Sequence, residues 1–197
     1  MAESTTGGSS SPWPSFMGKI RSLAILALIV VAGVFLLRTY VVETYYVPSA
    51  SMEPTLHGCP NCDDDRVLVE KLSYLFHAPQ PGDVVVFDRP DTGSWARNVP
   101  EKVLIKRIIG VGGDRLVIKH GHVFRDGRLL VEPYVNPACD GTQAPQRVYR
   151  VPPDEVFVMG DNRCRSDDSR FNGPVPVSDL VGRAFLVVWP LSRFHSL

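Results

Sequence analysis

An uncharged, almost wholly apolar run from Ser22 to Leu37, bracketed by Lys19 and Arg21 on one side and Arg38 on the other, constrains this chain more than any other feature. As a helix, Ser22 to Leu37 covers about 24 Å at 1.5 Å per residue. That is short of a hydrocarbon core about 30 Å thick. Continuing through Thr39, Tyr40, Val41 and Val42, with Arg38 snorkelling and Tyr40 at the interface, closes the gap. The run therefore reads as a single N-terminal transmembrane helix over residues 19–42. A cleaved secretory leader shares the basic start and apolar middle. Against it, the run is long for a leader, and the residues where a cut would fall carry the candidate chemistry below. Lys19 and Arg21 assign the N-terminus to the inside. Residues 1–18, rich in Ser, Thr, Gly and Pro, read as a disordered cytoplasmic tail, and residues 43–197 as an extracytoplasmic domain.

Beyond the anchor, helical periodicity is scarce, and the chain's 17 prolines and 16 glycines point to short strands and many turns. Val41–Val47 looks extended. Arg66–Glu70, Val84–Phe87, Val103–Val111, Glu155–Met159 and Gly182–Pro190 read as strands of the main β domain. Arg115–Lys119, His122–Arg125 and Arg128–Val131 read as a meander, with Asp126-Gly127 a hairpin signal. Residues 88–100 and 132–150 read as loops. Gly110-Val111-Gly112-Gly113 is no dinucleotide loop, because position 115 is arginine and no helix pattern follows. The formal net charge is zero, which argues against a nucleic-acid partner. The four cysteines, Cys59, Cys62, Cys139 and Cys164, permit two disulfides outside the cytoplasm in any of three connectivities. Cys59-Pro60-Asn61-Cys62 lacks both the βαβ context of a redox site and the second close ligand pair of a zinc site. It reads as a structural loop disulfide or a pair of free thiols.

The candidate chemistry begins with Ser51, a few residues past the anchor. A serine hydroxyl needs a base before it becomes a useful nucleophile. None of the five histidines lies in a catalytic motif. Lys106 is different, because it interrupts the apolar strand Val103-Leu104-Ile105-Lys106-Arg107-Ile108-Ile109. Alternation sends Leu104, Lys106 and Ile108 to one face and Ile105, Arg107 and Ile109 to the other, so one cation must lie on the more buried face. Burial disfavours a charged amine and lowers its pKa, which turns a lysine into a general base. The strand alone also allows an edge strand with both heads in water. A third segment, Gly160 to Arg170, is dense in short polar groups and suits either a solvated loop or a network around a site.

Taken together, these segments resemble the bacterial type I signal peptidases, membrane-bound serine endopeptidases of the Ser/Lys class. The resemblance rests on Ser49-Ala50-Ser51-Met52-Glu53-Pro54-Thr55-Leu56, on Pro81 to Phe87, on Lys106-Arg107-Ile108-Ile109-Gly110 through Gly113-Asp114, and on Gly160-Asp161-Asn162-Arg163 with Ser166, Asp168, Ser169 and Arg170. It implies a mainly β fold, an antiparallel two-sheet signal-peptidase-like core with a small inserted β subdomain over 117–152. It implies Ser51 as nucleophile, Lys106 as general base, and an oxyanion hole from the Ser51 N–H and the Ser49 hydroxyl. Ser166 is expected to bond and orient the Lys106 amine. Asp161, Arg107, Asp168 and Arg170 are expected to support the site, the last two as an ion pair, and Met52 to contact substrate or membrane. The implied substrates are secretory preproteins cut after small-x-small motifs, and the other partner is the lipid bilayer of the bacterial cytoplasmic membrane. No cofactor and no metal is implied. Cys164 and Arg165 depart from the family pattern, and a Cys139–Cys164 disulfide stapling the insert to the site is the expectation there.

Overall fold

The computed structural model of the chain describes residues 13–59, 64–91, 93–139 and 146–197. The chain divides after Tyr40 into two compact units. The first holds helix α1, Trp13–Tyr40. It begins inside the stretch 1–18 read as a tail. Pro14 falls in its first turn, where a missing N–H interrupts no helical hydrogen bond. Leu28, Ile29, Val30 and Val31 are all exposed, so consecutive apolar side chains cover a full turn. Among the described residues no helix is long and apolar enough to cross a membrane. The expected anchor, 19–42, runs on into residues 35–40, whose side chains lie outside the described residues.

The second unit is mainly antiparallel β. Its strands are β1 (Val42–Tyr46), β2 (Arg66–Glu70), β3 (Val84–Asp88), β4 (Val103–Val111), β5 (Arg115–Lys119), β6 (His122–Arg125), β7 (Arg128–Leu129), β8 (Arg147–Arg150), β9 (Glu155–Met159), β10 (Val175–Pro176), β11 (Leu180–Trp189) and β12 (His195–Ser196). The larger sheet runs β1-β2-β11-β3-β4-β9-β10, with β12 added to β11. The smaller runs β7-β6-β5-β8. Each follows from its side-chain pattern. In β2 and β5, alternate residues Val67 and Val69, and Leu116 and Ile118, are buried, as expected of strands with one face on a core. In β3, four consecutive residues are buried. Val84 and Val86 enter one core cluster with Val47, Leu56 and Ala184. Val85 and Phe87 enter another with Trp95, Ile108 and Val158. Both faces of β3 are therefore covered, which a continuous apolar run signals.

The same cover explains β4. It is hydrogen-bonded to β3 on one side and β9 on the other, so the edge-strand alternative does not hold. Lys106 and Arg107 are both buried, at 3% and 9% exposure, although alternation sends them to opposite faces. A bulge between Ile108 and Gly110 shifts the register against β9. Beyond it, Ile109 joins the third cluster with Leu116, Val123 and Phe157, where the smaller sheet meets the larger.

Several segments differ from the sequence-based expectation. The loop 88–100 contains helix α3, Gly93–Asn98, with Trp95 buried. Its indole packs edge-on against Phe87 at 5.6 Å and donates to the Gly173 carbonyl at 3.0 Å. Its polar composition hides a single apolar anchor. The loop 132–150 contains β8, which pairs with β5. Three of its four residues are exposed, and only long-range pairing makes it a strand. Ser73–Phe76 (α2) and Ser169–Asn172 (α4) are short helices, and β7 stops at Leu129 rather than Val131. Because Phe87 is wholly buried, Phe87→Ala is expected to cost about 3–5 kcal/mol, measured by denaturant unfolding.

Candidate active site

Ser51 is carried by a short 3-10 helix, Ala50–Met52, a few residues after β1. The turn is pinned from below. Met52 and Leu56 are wholly buried in the cluster with Val47 and Val67, and the Leu56 N–H closes the turn onto the Met52 carbonyl at 2.9 Å. Met52 is thus a core residue. With no exposed surface it is not placed to touch substrate or lipid, and the expectation that it does is corrected. Anchoring Met52 leaves the preceding Ser51 side chain aimed at β4.

There the Lys106 Nζ lies 2.7 Å from the Ser51 Oγ, in a buried contact. The Ser49 hydroxyl lies 3.1 Å from the same Oγ. Burial pushes the Lys106 amine down from 10.5 to about 8, against the opposing pull of Asp168, Asp167, Glu101 and Asp161. At pH 7 about a tenth of such an amine is neutral, and the fraction rises with pH. The neutral form offers a lone pair to the serine proton.

The surrounding polar residues form two linked ion pairs. Arg107, next to Lys106 on β4, holds Asp161 through two bonds of 2.9 and 2.7 Å. It also donates to the Gly82 carbonyl at 2.8 Å, and the Thr55 hydroxyl donates to Asp161 at 2.5 Å. One guanidinium therefore joins the serine segment, the turn before β3, the lysine strand and the 160–170 loop. Arg170 holds Asp168 at 2.8 and 2.9 Å, and Asp168 caps α4 by accepting from the Arg170 N–H. Asp161 and Asp168 have no exposed surface. The polar density of 160–170 is thus a buried network and not a solvated loop.

Ser166 differs from expectation. Its hydroxyl donates to Asp168 at 2.7 Å, and among the described residues the Lys106 amine bonds Ser51 alone. An ionised carboxylate is the stronger acceptor, and it holds the Ser166 hydroxyl. Ser166 still packs at the site. A Cβ on Gly160 would collide with the Ser166 side chain and the Ser51 carbonyl oxygen, so only glycine fits between them. The Asn162 N–H donates to that same carbonyl at 3.0 Å.

Other members of the site carry no role that the sequence assigns. Thr55 and Arg163 lie inside quoted motifs. Glu132 and Tyr134 lie in the stretch expected to be loop, and no local pattern marks them. Asp65, wholly buried, pairs with Arg193 at 2.9 Å and accepts from the His57 N–H at 2.8 Å, bracing the far end of the serine segment. Cys59 and Cys164 are both disulfide-bonded, so the free-thiol alternative fails for Cys59. Cys62 and the Cys139 side chain lie outside the described residues.

A cleft of about 320 Å³ opens on the dyad. Its walls include Tyr45, Val86, Val99, Leu104 and Ile105, with Glu101, Arg165 and Asp167 also lining it. A partly apolar cleft ending at a hydroxyl and a deprotonable amine suits acyl transfer.

This geometry sets a serine hydroxyl against a buried amine, the pairing that a serine hydrolase needs. The family model described as signal peptidase, peptidase S26, matches residues 20–189, and the chain belongs to that family. It is 38% identical to a signal peptidase I of Mycobacterium tuberculosis (strain ATCC 25618 / H37Rv), covering 98% of this chain and 80% of the relative. It is 38% identical to a probable signal peptidase I-1 of Synechocystis sp., covering 95% and 92%. A thylakoidal processing peptidase 1 of Arabidopsis thaliana is 34% identical, covering 97% of this chain and 54% of the relative. A solved signal peptidase I from Enterococcus faecalis V583 is 27% identical, covers 54% of this chain and 97% of that one, and superposes with a TM-score of 0.43. Family membership makes the chain a peptidase of the class that removes signal peptides from preproteins.

Asp161→Asn would leave Arg107 buried without its counter-charge. It is expected to lower stability by about 3–5 kcal/mol, read from denaturant midpoints. Asp167→Asn removes one of the charges that hold the Lys106 amine up. The acid limb of activity against pH is expected to move to lower pH, because more acid is then needed to keep the same fraction protonated.

Proposed function

We propose that Ser51 and Lys106 form a Ser/Lys dyad that cleaves membrane-delivered preproteins after small-x-small motifs through an acyl-enzyme. The observation that carries this reading is the buried 2.7 Å contact between the Lys106 Nζ and the Ser51 Oγ. The neutral amine takes the hydroxyl proton as the Oγ attacks the scissile carbonyl. The Ser51 N–H and the Ser49 hydroxyl, turned from Oγ to the new oxyanion, stabilise the developing charge. The protonated amine then gives its proton to the leaving amine nitrogen, and the C–N bond breaks. A water, deprotonated by the same lysine, attacks the ester and releases the signal peptide with Ser51 restored.

The apolar walls at Val86, Val99 and Ile105 support small side chains before the cut. Helix α1 and its flanking charges support a single-pass anchor over 19–42 in the bacterial cytoplasmic membrane, with residues 43–197 on the extracytoplasmic side and the lipid bilayer as a partner. That compartment also suits disulfides at Cys59 and Cys164. The reading pairs Cys139 with Cys164 and leaves Cys59 to Cys62; peptide mapping without reductant that linked Cys59 to Cys139 would sink this assignment.

The test is preprotein cleavage in detergent by wild type, Ser51→Ala and Lys106→Ala, with folding checked by circular dichroism. Both folded variants are expected to lose activity by at least about 10⁴-fold. Wild-type kcat/KM is expected to rise with pH through about 8, the value at which the buried amine loses its proton. A folded Lys106→Ala enzyme with full rate, or a rate flat down to acidic pH, rules out lysine as the base.

A further inference from the structure

Between the smaller sheet's β7 and β8 the chain passes through Val131-Glu132-Pro133-Tyr134, which no step of the dyad chemistry uses. Its polar side chains turn toward the catalytic loop. The Arg163 guanidinium donates two bonds to Glu132, at 2.6 and 3.3 Å. Both side chains are nearly closed to solvent, at 9% exposure for Glu132 and 1% for Arg163. The same guanidinium donates through Nε to the Gly160 carbonyl at 3.0 Å. The Arg163 carbonyl accepts from Arg170 at 2.7 Å, which ties this pair to the Asp168–Arg170 pair.

Tyr134 works on the other arginine. The Arg107 guanidinium lies 4.1 Å from the centre of its ring, and the Tyr134 hydroxyl donates to Glu132 at 3.0 Å. Two residues on, the Asn136 N–H donates to the Asp161 carbonyl at 3.1 Å. Glu132, Tyr134 and Asn136 therefore grip residues 160–163 and Arg107 together. Residues 160–163 are the stretch whose Asn162 N–H holds the Ser51 carbonyl and whose Gly160 has no room for a side chain. A shift in that stretch passes directly to Ser51.

A buried ion pair is a weak source of stability, because desolvation of both charges offsets their attraction, and apolar residues of similar volume often serve as well. What a bidentate arginine–carboxylate pair supplies instead is a fixed direction and distance. We propose that Glu132 and Tyr134 are positioning residues for the reaction, acting through Arg163 and Arg107 to hold Ser51 at its working distance from Lys106. The inference rests on the dyad reading above. The inserted subdomain is then part of the catalytic apparatus, reaching the nucleophile through one loop.

The test separates position from stability. The full chain in detergent is assayed on a preprotein as wild type, as E132Q and as the double variant E132L/R163M, with thermal midpoints measured for each. A fluorophosphonate probe reports the rate at which Ser51 is labelled. The double variant removes both charges and fills their space with apolar side chains, so a purely structural pair is replaced by a purely structural substitute. Positioning predicts a double variant with a midpoint near wild type, kcat lower by about ten- to a hundred-fold, KM within about two-fold, and Ser51 labelling slowed in parallel. If E132Q and the double variant do not fold, Tyr134→Leu, which removes the ring against Arg107 at a half-buried position, carries the same expectation. Full kcat and full labelling rate in any of these folded variants overturns the proposal. A wild type that neither cleaves nor labels overturns the dyad reading beneath it instead.

Discussion

Everything at this site depends on keeping the Lys106 amine out of water while holding it against the Ser51 hydroxyl. A lysine in solvent is protonated and has no lone pair to offer, and a serine without a base is inert. The protein solves both problems with one strand. β4 lies between β3 and β9, and Lys106 in its middle is left only 3% exposed, at the end of the cleft. The opposing influence is present too. Asp168, Asp167, Glu101 and Asp161 all draw the amine back toward its charged form. Desolvation is the larger effect, and the balance leaves an amine whose charge changes near about pH 8, close to the range where a general base is most effective.

The neighbouring arginine shows why two adjacent cations can both be buried. Arg107 is a guanidinium, which stays charged in a protein, and Asp161 meets it with a bidentate pair, whereas Lys106 has no direct carboxylate partner among the described residues. A guanidinium remains a structural cation where a desolvated amine can lose its proton. Asp168 is held by Arg170 in the same way, and this keeps a nearby carboxylate occupied. If Asp168 were free to bond Lys106, the amine would stay charged. Ser166, bonded to Asp168 and not to Lys106, belongs to that restraint.

Much of this arrangement is legible in the amino-acid sequence. The apolar runs Val84–Phe87 and Val103–Val111 mark buried strands, and the lysine within the second marks a candidate base. The resemblance of the serine, lysine and 160–170 segments to one family brings them to a single place. Other features are hidden for physical reasons. Glu132 and Tyr134 act only through contacts with residues distant in sequence, and no period or motif records such contacts. β8 is a strand because β5 is there to pair with it. Trp95 anchors a polar helix alone, and a single apolar residue makes no pattern. Met52 invites a role in substrate or lipid contact because its neighbour in sequence is the candidate nucleophile. The buried face of the 3-10 turn, with no exposed surface on Met52, is what separates the two.

The central claim is that burial lowers the Lys106 amine so that it loses its proton near about pH 8. The most direct measurement is a side-chain NMR titration of the isotopically labelled full chain in detergent, with the Lys106 signal assigned by its loss in Lys106→Met. The account predicts a midpoint near about 8, well below 10.5. A Lys106 midpoint that stays at the ordinary lysine value would contradict it, because the serine would then face an ammonium ion throughout the working range.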